Sequence, residues 1–309
     1  MMNQPLTDHT DQTTKAVVTP FFDEPSNTLS YVVKDPASNA CAIVDCVMNL
    51  DYPSGTLSFE GADAIIAFIE SAQLDLQWIL ETHVHADHVS AAPYIKSKLG
   101  GKIAIGNQIT VVQETFGAIF EAGPEFARDG SQFDVLLADN DPVVIGGMQG
   151  TALHTPGHTP ACMTFVLGDA VFVGDTLFMP DGGTARADFP GGDAGVLFQS
   201  IQRILSLPDA LRVFVCHDYL PEGRELEFET TIGEERERNI HVKTGISEQN
   251  FVAMRESRDQ TLGMPSLILP SLQINMRAGH LPPASSEGGL FLKLPINAFG
   301  GPNLDAVKS

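Results

Sequence analysis

Three imidazoles and a carboxylate fall within six residues in the stretch Glu81-Thr82-His83-Val84-His85-Ala86-Asp87-His88. Neutral imidazole and carboxylate are borderline-to-hard ligands, a set that iron and zinc both accept. The stretch follows an apolar, strand-like run, Leu76-Gln77-Trp78-Ile79-Leu80, so it sits where a strand gives way to a loop. Alternate side chains of an extended segment face one way. His83 and His85 can therefore enter one pocket, and Asp87 and His88 reach it once the chain turns. A polar loop whose histidines cap the next helix is the plainer reading, and the partners further along the chain argue against it.

Those partners are three. In His154-Thr155-Pro156-Gly157-His158-Thr159 the proline and glycine shape a tight turn after a strand and aim His158 inward; His154, on the strand side, reads as structural. In Val173-Gly174-Asp175-Thr176-Leu177 an apolar strand stops at a glycine and a carboxylate, which makes Asp175 the leading metal carboxylate. His217 ends the run Val213 to Cys216. Alone it would read as a hydrogen-bonded core histidine, and beside the others it reads as ligand-type.

The scaffold must bring these strand ends together. Thr28 to Val33 and Ala40 to Val44 read as an antiparallel hairpin across the turn-forming residues 34 to 39. Helical spacing marks Glu60 to Ala72, Val89 to Leu99 and Gln108 to Phe120, with a short strand at Lys102 to Ile105. From Phe133 the pattern turns to short strands: Phe133 to Leu137, Val143 to Ile145, Gly150 to His154, Cys162 to Val166 and Ala170 to Val173. Asp193 to Leu205 restores a helix, Leu211 to Val215 a strand, and Thr231 to Asn239 and Ser247 to Thr261 read as helices, the last with Ser247 as its cap. The division expected is a loose N-terminus over 1–16, one domain over 17–245, and a C-terminal helix with an extended arm over 246–309. The Pro- and Gly-rich stretch from Met264 is expected to lie ordered against the domain or a neighbouring subunit. Its apolar segments motivate the expectation of a homodimer.

Bulk composition narrows the partners. A chain of 309 residues with 43% apolar and 18% charged residues can bury a substantial core without staples. The net charge of -21 excludes nucleic acid and an anionic membrane surface, which need concentrated basic patches. Cys41, Cys46, Cys162 and Cys216 match neither a zinc ribbon nor a disulfide framework and read as buried thiols. The polar, acidic start lacks the character of a signal peptide, and no apolar run approaches a membrane span. The expected address is cytoplasmic.

In order and spacing, the motif from Thr82 to His88, then Thr155-Pro156-Gly157-His158-Thr159, Gly174-Asp175-Thr176 and His217, resemble the five-motif signature of the metallo-β-lactamase superfamily. The resemblance implies an α/β fold, a four-layer αββα sandwich with metal at the sheet edge. Asp175 stands where the common β-lactamases of that fold carry a cysteine, which argues against drug hydrolysis.

Two branches of the superfamily compete. A glyoxalase II-like enzyme is a dinuclear zinc thioesterase, with His83, His85 and His158 on one metal, Asp87, His88 and His217 on the other, and Asp175 bridging. A glutathione-dependent persulfide dioxygenase holds one Fe(II) on the residues matching His83, His158 and Asp175, a facial triad of two histidines and a carboxylate. There His85, Asp87, His88 and His217 surround the metal, and His85, Asp87 and His217 orient and hydrogen-bond the reactants. Ala86, the element Gly183-Thr184-Ala185-Arg186-Ala187-Asp188-Phe189 and the triplet His217-Asp218-Tyr219 are similar to the dioxygenases. The tail, with Gly263-Met264-Pro265, looks like the β-lactamase hydrolase-like subgroup. The resemblance thus implies Fe(II), one per chain, with glutathione persulfide and O2 as reactants and sulfite and glutathione as products, in sulfide and persulfide detoxification. Zinc, a lactonase and a non-enzymatic module are the alternatives. Arg186 is the expected anchor for a glutathione carboxylate by bidentate pairing, unless it pairs with Asp188. Tyr219 is expected to donate to the thiolate or the peptide.

Overall fold

Strands that are apolar at nearly every position belong in sheets covered on both faces, and the N-terminal strands have that character. In the computed structural model, which describes residues 14–303 and 305, Leu29, Tyr31, Val33, Ala42 and Val44 enter one core, while the alternate Val32, Cys41 and Ile43 enter another. The loose terminus expected over 1–16 lies mostly outside the described residues.

The first half of the chain runs β1 (Val17–Asp23), β2 (Thr28–Lys34), β3 (Ala40–Val44), β4 (Val47–Asp51), β5 (Thr56–Ser58), α1 (Glu60–Ser71), β6 (Asp75–Leu80), β7 (Val89–Ser90), α2 (Ala92–Leu99), β8 (Lys102–Gly106) and α3 (Ile109–Ile119). The second half runs β9 (Val135–Leu137), β10 (Asp141–Pro142), β11 (Gly150–His154), β12 (Met163–Leu167), β13 (Ala170–Phe172), α4 (Ala194–Leu205), β14 (Arg212–Phe214), β15 (Glu229–Thr231), α5 (Ile232–Arg238), α6 (Glu248–Asp259) and α7 (Ile268–Asn275).

These strands form two six-stranded sheets, ordered β1-β2-β3-β6-β8-β9 and β10-β11-β12-β13-β14-β15, beside a small β5-β4-β7 sheet. The inner faces meet where the Tyr31 ring stands edge-on to Phe172 and Phe214, at 5.3 and 5.5 Å. Helices α1, α2, α3 and α7 cover the outer face of the first sheet. Helix α4 buries Leu197, Phe198, Ile201 and Ile204 on the second sheet, and α6 packs on α4 with the Phe251 ring 5.4 Å from Phe198. The αββα sandwich is the architecture the motifs imply. All four cysteines are buried and free, and no helix among the described residues is long and apolar enough to cross a membrane.

Four local expectations need correcting. The segment Val89 to Leu99 is not all helix: Val89–Ser90 pairs with Val47 and Met48 as β7, and the helix starts at Ala92 with Pro93 in its first turn, where a missing N–H costs nothing. Val143 to Ile145 is not a strand; Asp141–Pro142 pairs with β11 instead, and Ile145 only bridges Met148. Strand β1 was missed because Pro20 interrupts it, yet β1 is an edge strand, where proline is tolerated. The stretch from Met264 is extended only in part, because Ile268–Asn275 is a buried helix with Pro270 in its first turn. Beyond it Leu290, Phe291, Leu294 and Ile296 are exposed, while Gln273 fastens the tail through Lys293, donating to its carbonyl at 2.9 Å and accepting its N–H at 2.8 Å.

Candidate metal centre

The sandwich gathers its ligand-type side chains at strand ends. After β6 the chain is fixed by Asp45, which follows β3: its carboxylate accepts the Thr82 N–H at 2.7 Å and the Thr82 hydroxyl at 2.8 Å. It also lies 3.0 Å from His85 Nε2. Glu81 Oε2 lies 3.5 Å from the same nitrogen, and Ser90 donates to Glu81 Oε1 at 2.6 Å. Two glycines permit the close approach of the other motifs. Gly157 has φ +134°, and a Cβ there would sit 2.3 Å from the Leu197 backbone; Gly174 has φ +51°, and a Cβ there would meet the Thr82 hydroxyl at 2.6 Å. So the turn before His158 rests directly on α4, and the turn carrying Asp175 rests directly on the first histidine motif.

Each histidine has one ring nitrogen tied to the scaffold, which fixes the ring and turns the other nitrogen inward. His83 Nδ1 lies 3.0 Å from the Thr82 hydroxyl and His158 Nδ1 2.8 Å from the Arg186 carbonyl. His88 Nδ1 is 3.3 Å from the Thr28 hydroxyl, and His217 Nδ1 is 3.2 Å from the Asn27 carbonyl. In the centre, Asp175 Oδ2 stands 3.9 Å from His83 Nε2 and 3.6 Å from His158 Nε2. His217 Nε2 is 3.2 Å from Asp175 Oδ1 and 3.3 Å from Asp87 Oδ2.

Unsatisfied buried polar atoms are costly and rare, and here they are concentrated. Of the ten buried side-chain N and O atoms with no aligned hydrogen-bond partner among the described residues, six are His83 Nε2, His85 Nδ1, Asp87 Oδ2, His88 Nε2, Asp175 Oδ1 and His217 Nε2. Ligand atoms of His83, His158 and Asp175 lie within 4.8 Å of one another, as do those of His85, Asp87 and His88. A cluster of inward-facing imidazole nitrogens and carboxylate oxygens fits a divalent cation.

The electrostatics agree. Burial, with His85 and His158 beside it, holds His83 well below the usual imidazole range and therefore neutral. Burial would raise Asp175, but His217, His83 and His158 outweigh it and hold the carboxyl well down. Burial likewise opposes the charge on His217, yet Asp175 and Asp87 lift it to about 9. His85 is pushed down by burial and more strongly up by Asp45 and Glu81.

A cavity of about 900 Å³ opens onto these groups, lined among others by His88, His158, Asp175, Phe178 and Tyr219. The Tyr219 ring stacks on His217 with centroids 5.7 Å apart. Arg186 also lines the cavity, but its guanidinium is already engaged. Nε and Nη2 donate to Asp188 at 2.5 and 2.7 Å, and Nη1 to the Gly263 carbonyl at 2.7 Å. The anchoring role expected for Arg186 meets the pairing that was its alternative, while its main chain orients His158. His154 is tied by Nε2 to the Pro160 carbonyl at 2.8 Å, as a structural residue would be.

Three contributors were not singled out from the sequence. Asp45 and Glu81 each follow a strand directly, the same position that marks the ligand-type residues, so that signal was present. Asn275 carried none. Its Nδ2 donates to the carbonyls of His85 and His88 at 2.9 and 2.8 Å, and its Oδ1 accepts the Ser90 N–H at 2.8 Å.

Among curated proteins the chain is similar to a probable metallo-hydrolase of Burkholderia pseudomallei, 51% identical over 90% of this chain and 98% of that one. It is similar to Glyoxylase B2 of Dictyostelium discoideum, 46% identical over 92% and 98%, and to mitochondrial persulfide dioxygenase ETHE1 of Bos taurus, 27% identical over 91% and 95%. The solved structure of ETHE1 from Myxococcus xanthus aligns with a TM-score of 0.68 and 29% identity, over 85% of this chain and 100% of that one. The model of the metallo-beta-lactamase superfamily matches residues 23–217, from the end of β1 to the last histidine of the cluster, and the chain belongs to that superfamily.

Proposed function

We propose that this protein is a persulfide dioxygenase, holding one Fe(II) on His83, His158 and Asp175 and converting glutathione persulfide, O2 and water to glutathione, sulfite and protons. The observation that carries this reading is the grouping of ligand atoms of His83, His158 and Asp175 within 4.8 Å, with His85 in separate groups, beside Asp87 and His88 and beside Asp45 and Glu81, while Asp175 also groups with Cys216 and His217. Two histidines and one carboxylate on one face are the ligand set of oxygen-activating iron enzymes. The resemblance to persulfide dioxygenase ETHE1 supports the same reading.

Iron bound there would supply open coordination positions for the persulfide sulfur and dioxygen together. The chain's own residues do the rest. Thr82 and the Arg186 carbonyl keep His83 and His158 in the orientation that exposes Nε2. Asp45 holds the His85 ring by Nε2, leaving Nδ1 toward the cluster. His217 carries a hydrogen-bonding nitrogen between Asp175 and Asp87, and the rings of Phe178 and Tyr219 pack against it. Holding both reactants in one cavity removes most of the orientational cost of their meeting.

A second reading is a dinuclear zinc thioesterase of the glyoxalase type. It is favoured by the unpartnered atoms on Asp87, His88 and His217, enough to hold a second ion, and by the similarity to Glyoxylase B2. Metal analysis of the purified protein with oxygen uptake on glutathione persulfide separates the two. About one iron per chain with persulfide-dependent uptake supports the dioxygenase. About two zinc ions and thioester cleavage without uptake overturns it in favour of the hydrolase.

A further inference from the structure

The cations of the cavity differ in whether they are already engaged. Arg186 is held by Asp188 and the Gly263 carbonyl. Arg255, on α6, is buried and donates to Asp259 Oδ1 through Nε at 2.9 Å and Nη2 at 2.7 Å, and through Nη1 to the Thr184 carbonyl at 2.9 Å. Arg258 stands one helical turn further along α6 and lines the same cavity. Its side chain is exposed and makes no ion pair among the described residues. No lysine among the described residues lines the cavity.

The wall built from β1, β4 and α1 has the opposite character, contributing Asp23, Asp51 and Glu60. A ligand reaching from the histidine cluster to the mouth would therefore meet one uncommitted guanidinium and several carboxylates. One guanidinium matches one carboxylate with two parallel hydrogen bonds. The acidic wall suits an ammonium group, and with the chain's net charge of -21 it repels a thiol that carries several phosphates.

We infer that Arg258 anchors a carboxylate of the substrate, with the acidic wall facing the substrate's ammonium group. This inference rests on the proposed persulfide chemistry only for the sulfur end of the substrate. The carrier end is recognised by Arg258 and the acidic wall. The cavity volume of about 900 Å³ falls within the range of small-ligand sites.

The test separates recognition from turnover. Binding of S-methylglutathione, which carries both carboxylates and the ammonium but no reactive sulfur, is measured by calorimetry on the purified protein and on R258A and R258K. The site is exposed, so both variants fold. R258A is expected to weaken binding about tenfold, with R258K retaining part of the affinity. With glutathione persulfide, the KM of R258A rises by a similar factor while kcat stays within about twofold. The persulfide of cysteamine, which has no carboxylate, is used equally well by R258A and the parent protein. Equal S-methylglutathione affinity in R258A and the parent overturns the anchor. Arg258-dependent binding in a protein that takes up no oxygen overturns the dioxygenase reading and leaves the anchor standing.

Discussion

Asn275, at the end of α7, holds His88 by its main chain: Nδ2 donates to the His88 carbonyl at 2.8 Å across 187 residues of sequence. The same amide takes the His85 carbonyl and the Ser90 N–H, so the loop bearing three of the histidines is pinned by a helix outside the region matched by the superfamily model. Asn275→Ala would leave buried carbonyls and an N–H without partners. The expected cost is on the order of 2 to 4 kcal/mol of stability, together with a fall of roughly tenfold or more in metal affinity. Thermal melts and metal retention against a chelator read both. Parental values for the two would mean the helix merely packs there.

His88 separates the one-metal site from the two-metal site. In the mononuclear reading His88 lies outside the ligand set, and His88→Ala keeps about one metal per chain, whereas His83→Ala and Asp175→Ala lose it. In the dinuclear reading His88→Ala falls from about two metals to about one. Metal content by plasma mass spectrometry decides, and a His88→Ala protein that loses its sole iron would count against the triad.

Asp45 supports the site through charge as well as geometry. Asp45→Asn keeps the size of the side chain but removes the negative charge that lifts His85 against burial. The His85 imidazole is then expected to titrate lower, and metal affinity or turnover to fall about 10- to 100-fold. Histidine NMR across pH, with metal titration, would check it. An unmoved His85 resonance would show that Glu81 alone sets its protonation.

Glu235 lies away from the cluster and predicts how stability changes with pH. It is fully buried, with Asn239 donating to Oε2 at 2.7 Å and no partner at Oε1. Burial pushes its carboxyl from 4.5 up to about 8. The folded value exceeds the unfolded one, so the folded state binds more protons between them. Its contribution is fully present below about 4.5 and is lost as pH rises through about 8. Glu235→Gln removes that slope and is expected to be more stable than the parent above pH 8, by on the order of a few kcal/mol. Urea unfolding of both proteins at acid and alkaline pH tests the sign. A parent protein that grows more stable across the window relative to the variant contradicts it.

The metal motifs were legible because their chemistry is local: each ligand-type group follows an apolar strand, and a strand end at a sheet edge is where a polar group stays reachable. His83, His158 and Asp175 come together as the family resemblance implies. Arg186 was less legible, since a guanidinium beside a carboxylate in sequence can turn to either the cavity or its neighbour, and here Asp188 holds it. Helix α7 was hidden by Pro270, whose place in the first turn is harmless only once the helix is known. Asn275 could not be seen at all, because nothing in a lone asparagine announces hydrogen bonds to carbonyls nearly two hundred positions earlier.

The tie between α7 and the histidine loop also has a consequence for biosynthesis. His88 emerges during translation 187 residues before the side chain that fixes its carbonyl. At synthesis rates of about 5 to 20 residues per second the loop waits roughly 10 to 40 s for Asn275. The histidines are thus all made well before the helix that sets their loop, and a chain released early, even one with every motif intact, carries an unbraced site.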